Sequence, residues 1–179
     1  MAESPTTQVW IGRGVFGGLA LMIIFLQLLP LNMTPGGWAG PDMLLLLIFA
    51  WVARRPDYAP FAIIAGVCLL ADLLFQRPPG LWAALVLIAS EALRARAPGL
   101  RSLPLAVEWG SVAMAVIGVT LANRMVLALS MTPQAPLGLT LIQMLATLAC
   151  YPLVVIAAHV FFGVTRTAPG QVNALGQKL

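Results

Sequence analysis

Residues 54–91, RRPDYAPFAIIAGVCLLADLLFQRPPGLWAALVLIASE, decide how this chain is read. The stretch holds two apolar segments, each short for a membrane span. An acid, Asp72, lies inside the first, and the turn Arg77-Pro78-Pro79-Gly80 joins it to the second. Two prolines and a glycine end one helix and open the next, because proline cannot continue the hydrogen-bond ladder and glycine permits the reversal. Apolar runs recur on both sides of this hairpin, so the rest of the chain is expected to pack around it as membrane helix.

The composition agrees. The chain of 179 residues is 60% hydrophobic and 9% charged, where a soluble domain carries about 25% charged residues. A soluble globular protein is excluded, and the fold class expected is an all-α integral membrane protein. A net charge of +4 would suggest nucleic acid in a soluble protein; here it fits loops retained in the cytoplasm, with the bilayer and not nucleic acid as the partner. Cys68 and Cys150 fall inside apolar runs and are read as inert thiols. The first apolar run is too long for a signal-peptide core and has no small-residue cleavage site behind it, so it is expected to stay as the first membrane helix.

Six spans are expected, at about 11–31, 41–53, 58–75, 79–93, 104–130 and 137–164, in one transmembrane domain, with 165–179 as a flexible cytoplasmic tail. Span one carries Gly14 and Gly18, a GxxxG pair that lets another helix come close. Span two opens at Pro41-Asp42 and is only ~20 Å long at 1.5 Å per residue. The ~30 Å hydrocarbon core then requires snorkelling arginines, a thinned bilayer, or shelter among neighbours. Asp57 is placed as the N-cap of span three. Pro98-Gly99 is expected to break the helix after a short span four, and Pro152 to kink span six. With both termini cytoplasmic, Arg54, Arg55, Arg94, Arg96 and Arg101 become anchors at the inner face beside Asp57, and only Arg77 lies in an outer loop. Trp10, Trp51 and Trp109 then fall at inner ends, and Trp38 and Trp82 at outer ends, as an aromatic belt would place them.

Charges inside a membrane are the default functional candidates. Asp72 and Arg124 lie at similar depth near the outer side and are expected to approach each other, with Asp42 as a rival partner for the arginine. The plain reading is an ion pair that fixes the bundle; a grip on a partner, or a proton relay, is the sharper one. Glu91 and Arg94 form an ordinary helix-surface pair. Glu108, in the first turn of span five, suits the helix dipole and needs no further role. His159 is alone and near an interface, a poor metal or catalytic candidate. One peripheral histidine, no P-loop, no GxGxxG and no HExxH leave an enzyme reading little support, and no catalytic residue, metal or cofactor is expected.

The order of features resembles the family of rod-shape-determining membrane proteins, MreD. The residues that carry the resemblance are Arg54-Arg55-Pro56-Asp57, Gly66, the run Leu70–Phe75 (LADLLF), the Pro78-Pro79-Gly80-Leu81 turn, and Glu91-Ala92-Leu93-Arg94. It covers the whole chain in layout and about 40 residues in motif. It implies a non-enzymatic inner-membrane component of the lateral-wall elongation machinery, working with the bitopic protein MreC, the polymerase RodA and a class B penicillin-binding protein, and indirectly with MreB filaments. It also implies a compact six-helix fold similar to the substrate-binding component of energy-coupling-factor transporters. The alternative is a small-molecule-binding subunit of a vitamin-type transporter. That reading needs an outward cavity with several polar side chains, for which Asp72, Gln76, Asn123 and Arg124 are available.

Overall fold

In the computed structural model, residues 5–29, 39–100 and 103–162 are described. Arg101, Trp38, most of the loop before Asp42 and the expected tail at 165–179 lie outside them. Six helices follow in order: α1 (Pro5–Leu28), α2 (Met43–Arg54), α3 (Phe61–Leu74), α4 (Leu81–Leu100), α5 (Leu105–Leu129) and α6 (Leu137–Phe162). There is no strand among the described residues.

The short helix α2 is the core of the molecule. Every residue from Leu44 to Ala53 is buried, and α1, α4, α5 and α6 all pack on it. Of the three ways to accommodate a helix of about 18 Å, the structure uses shelter among neighbours. An unbroken Leu/Ile/Phe/Val surface allows it, since a helix apolar all round has no face that prefers solvent. Asp42 caps α2 through Oδ1, which accepts from the Leu45 amide at 3.0 Å.

Helix α1 meets the core along Gly12, Phe16, Ala20 and Ile24, four apart and all buried. Phe16 tilts against Trp51 with ring centroids 6.3 Å apart. At Gly12 the Tyr58 ring comes so close that a Cβ would stand 2.6 Å from it. The glycine that permits a close approach is therefore Gly12. Above Gly14 and Gly18 nothing lies within 4 Å, and both are exposed, so the GxxxG pair makes no close contact among the described residues.

Two expectations about boundaries and one about a tryptophan are corrected. Helix α3 begins at Phe61 with Pro60 at the cap position, and Asp57 is not its N-cap. Pro60 drives Ala59 out of helical geometry, and the 55–58 segment turns instead, with the Tyr58 amide donating to the Arg55 carbonyl at 3.0 Å. Helix α4 does not stop before Pro98; it continues through it to Leu100. The missing proline amide is offset because Ala97 and Leu100, on either side, extend the buried face of Val86, Ser90 and Leu93. Trp51 is buried at 2% exposure and belongs to the core, not to an interfacial belt. Helix α6 continues through Pro152.

At one end of the bundle α3 and α5 finish alike. Gln76 and Met131 adopt left-handed φ values of 53° and 51°. The amide that follows each reaches back, Arg77 to the Asp72 carbonyl and Thr132 to the Leu127 carbonyl, both at 3.0 Å. These are Schellman closures with a non-glycine residue in the left-handed position.

Three helices, at Thr6–Leu28, Leu105–Leu129 and Leu137–Phe161, are long and apolar enough to cross a membrane. The outward surface suits lipid: Phe25, Leu73, Ile88, Met125 and Val160 are all more than half exposed.

Candidate functional site

Helices α2, α4 and α6 start at the end of the bundle where α3 and α5 finish. There Asp72 is fully buried. Its Oδ2 accepts from the backbone amides of Gly80 at 3.0 Å and Ala83 at 3.1 Å. Gly80 has φ +86°, the turn position that lets its amide face the carboxylate. Pro78, Pro79 and Gly80 thus bend the chain so that an acid on α3 caps α4, and a negative charge sits where free amides and the helix dipole favour it. Oδ1 of Asp72 has no hydrogen-bond partner among the described residues.

The expected ion pair between Asp72 and Arg124 is not formed. Arg124 Nη1 instead donates to the Ala135 carbonyl at 3.1 Å and to Thr140 Oγ1 at 2.6 Å, tying α5 to the start of α6. Asp42 does not pair with it either; among the described residues the ion pairs are Arg54–Glu108 and Arg94–Glu91. Depth in the membrane predicted the wrong partner because two backbone amides at the turn serve the carboxylate without another side chain.

At the opposite end the bases gather, as the charge distribution implies. Arg13 Nε donates to the Asp57 carbonyl at 3.1 Å. Arg55 lies over the Tyr58 ring, 5.5 Å from its centroid. Arg94 pairs with Glu91 at 3.1 Å and also donates to the Pro56 and Ala59 carbonyls at 2.9 and 2.7 Å, so it pins the α2–α3 turn to α4. Arg54 is no snorkelling anchor: it turns inward to Glu108, Nε to Oε1 2.8 Å, with the two side chains 10% and 2% exposed. The Tyr151 hydroxyl donates to the same oxygen at 2.7 Å. This triad joins α2, α5 and α6. The helix dipole alone does not account for Glu108; the sequence signal for its larger role is its position in an apolar run, with an arginine closing α2. Removing one member of such a buried pair leaves an uncompensated charge, at a cost of about 3–5 kcal/mol.

A cavity of about 400 Å³ opens between α2, α5, α6 and the α3–α4 turn, at the end where Asp72 lies. Its polar lining includes Asp42, Arg77, Asn123, Arg124, Gln143 and Thr147, and its apolar lining includes Leu45, Leu81, Trp82, Val116 and Met144. Asp42 is fixed there by its backbone amide, which donates to Thr147 Oγ1 at 2.9 Å. Asp72 does not line the cavity, so its part in a ligand site is corrected; Gln76, Asn123 and Arg124 do line it. Arg96 borders a shallower groove of apolar residues between α4 and α5. His159 is exposed near the end of α6, and no metal-binding cluster of His, Cys, Asp and Glu occurs among the described residues.

No family model matches the chain, and no curated protein or solved structure does either.

Proposed function

We propose that this protein is a non-enzymatic scaffold of MreD type, a six-crossing membrane bundle with both termini in the cytoplasm that holds MreC-like and peptidoglycan-synthase helices in place during wall elongation. The compact architecture proposed is similar to that of the substrate-binding component of energy-coupling-factor transporters. The observation that carries the reading is how the ionisable groups within the bundle are used. Asp72 locks the α3–α4 hairpin, and Arg54, Glu108 and Tyr151 join three helices. Groups committed to helix joints build a rigid platform, which is what a scaffold requires and a proton relay does not. Purification in mild detergent tests it. A bitopic membrane protein and a penicillin-binding protein should accompany the chain, and its loss should round rod-shaped cells. Purification without companions, with rod shape intact after loss, contradicts it.

A second reading, a small-molecule-binding membrane subunit, is favoured by one observation: the mixed polar and apolar cavity, whose volume of about 400 Å³ falls within the range of about 300–1,000 Å³ usual for ligand sites.

A further inference from the structure

The cavity holds two arginines whose donor groups are largely unspent. Arg77 is half-buried. Its guanidinium lies between two rings, 5.2 Å from the Phe75 centroid and 5.3 Å from that of Trp82. It makes no ion pair and no side-chain hydrogen bond among the described residues. Stacking holds the plane of a guanidinium and leaves its N–H edge available. Arg124 spends only Nη1, on Ala135 and Thr140, and its Nε and Nη2 groups have no acceptor among the described residues. Against these two charges stands one carboxylate, Asp42, whose Oδ1 is already engaged by the Leu45 amide. The N-termini of α2 and α4 at this end are already capped by Asp42 and Asp72; that of α6, which borders the cavity, adds positive potential. Two half-buried arginines beside an apolar wall present paired donors that favour an anion.

We propose that this cavity binds a phosphate-type oxyanion, with Arg77 and Arg124 as its two ligands and Leu45, Leu81, Val116 and Met144 packing against an attached apolar portion. The inference rests on the second reading, that the cavity is a binding site, and assigns the class of ligand. Guanidinium groups suit the oxyanion because each can present paired donors to two oxygens. A phosphate alone would leave the apolar lining unused, so the expected occupant is an amphiphile whose anionic head enters between the arginines.

Native mass spectrometry and calorimetry on the detergent-purified full chain test this. The probes are inorganic phosphate, dihexanoyl phosphatidic acid, and uncharged dihexanoylglycerol. Binding of the phosphatidic acid, absent for dihexanoylglycerol and weakened roughly tenfold or more by Arg77→Gln and by Arg124→Gln, supports the proposal. Arg124→Lys, which keeps the charge but not the fork, should lie between the parent and Arg124→Gln; where loss of the Ala135 and Thr140 bonds lowers the melting temperature of the Arg124 variants, Arg77→Gln, which breaks no such bond, decides the outcome. Inorganic phosphate binding as tightly as the phosphatidic acid would support the oxyanion site but identify a soluble source over a lipid head. Equal or tighter binding of dihexanoylglycerol, or a co-purified neutral molecule in the cavity, would overturn the anion while keeping the cavity as a site. No co-purified molecule and no response to any probe would overturn both.

Discussion

At the scale of single residues, Asp72 works through the backbone: its Oδ2 accepts from two amides of the α3–α4 turn. Asp72 was legible because a carboxylate inside an apolar run must be satisfied. Its partners were not, because they are the amides of Gly80 and Ala83, which every sequence offers and only the turn brings into range. Glu108 was underread for the opposite reason: its place in a first helical turn supplied a sufficient explanation, and the Arg54 guanidinium across the bundle was out of view. The capping role of Asp72 sets an order of effects. Asparagine keeps an acceptor for the two amides, so Asp72→Asn should cost less than Asp72→Ala, which should lose roughly 1–2 kcal/mol. The double variant Asp72→Arg with Arg124→Asp should be no more stable than the worse single variant. Thermal unfolding in detergent measures both, and recovery in the double variant would restore the ion pair rejected above.

At the scale of elements, all six helices were visible in the sequence, and their ends were less so. The Pro98-Gly99 dipeptide reads as a stop, yet α4 passes through it because tertiary burial of Ala97 and Leu100 outweighs one lost hydrogen bond. Pro60 was the true start signal for α3, and Asp57 the more familiar one. Helix α1 shows how a motif can point to the right element and the wrong face. The GxxxG spacing singles out Gly14 and Gly18, but the face that docks within the chain is that of Gly12, against Tyr58. The two faces predict different outcomes. Gly12→Ala forces the Tyr58 ring to move and should destabilise the bundle by about 1–3 kcal/mol. Gly14→Leu and Gly18→Leu should leave the melting temperature of the isolated protein unchanged and weaken assembly with a partner helix. A fall in melting temperature equal to that of Gly12→Ala would place these glycines inside the fold after all. Unchanged co-purification in both would remove this face from the interface.

At the scale of the whole molecule, composition alone defined the class, and the distribution of arginine proposed the orientation. The structure adds a reason for the asymmetry. One end is crossed by arginines that bind turn carbonyls and ring faces, at Arg13, Arg55 and Arg94. The other end encloses a cavity with Arg77 and Arg124 at its wall. The first arrangement suits an anchored surface, and the second is the site proposed above for a ligand. The buried α2 could not be foreseen as the centre, because an all-apolar helix reads equally as a poor span and as a core. The proposed six-crossing scaffold therefore requires α3 and α4 to cross the bilayer as a hairpin, with α4 packed on that core. Impermeant maleimide labelling of single cysteines, in a chain with Cys68 and Cys150 replaced by alanine, tests this most directly. Pro79→Cys and Met131→Cys should react from outside intact cells, and Asp57→Cys only after the membrane is opened. Labelling of Asp57→Cys from outside, or of Pro79→Cys and Asp57→Cys from the same side, would contradict the account.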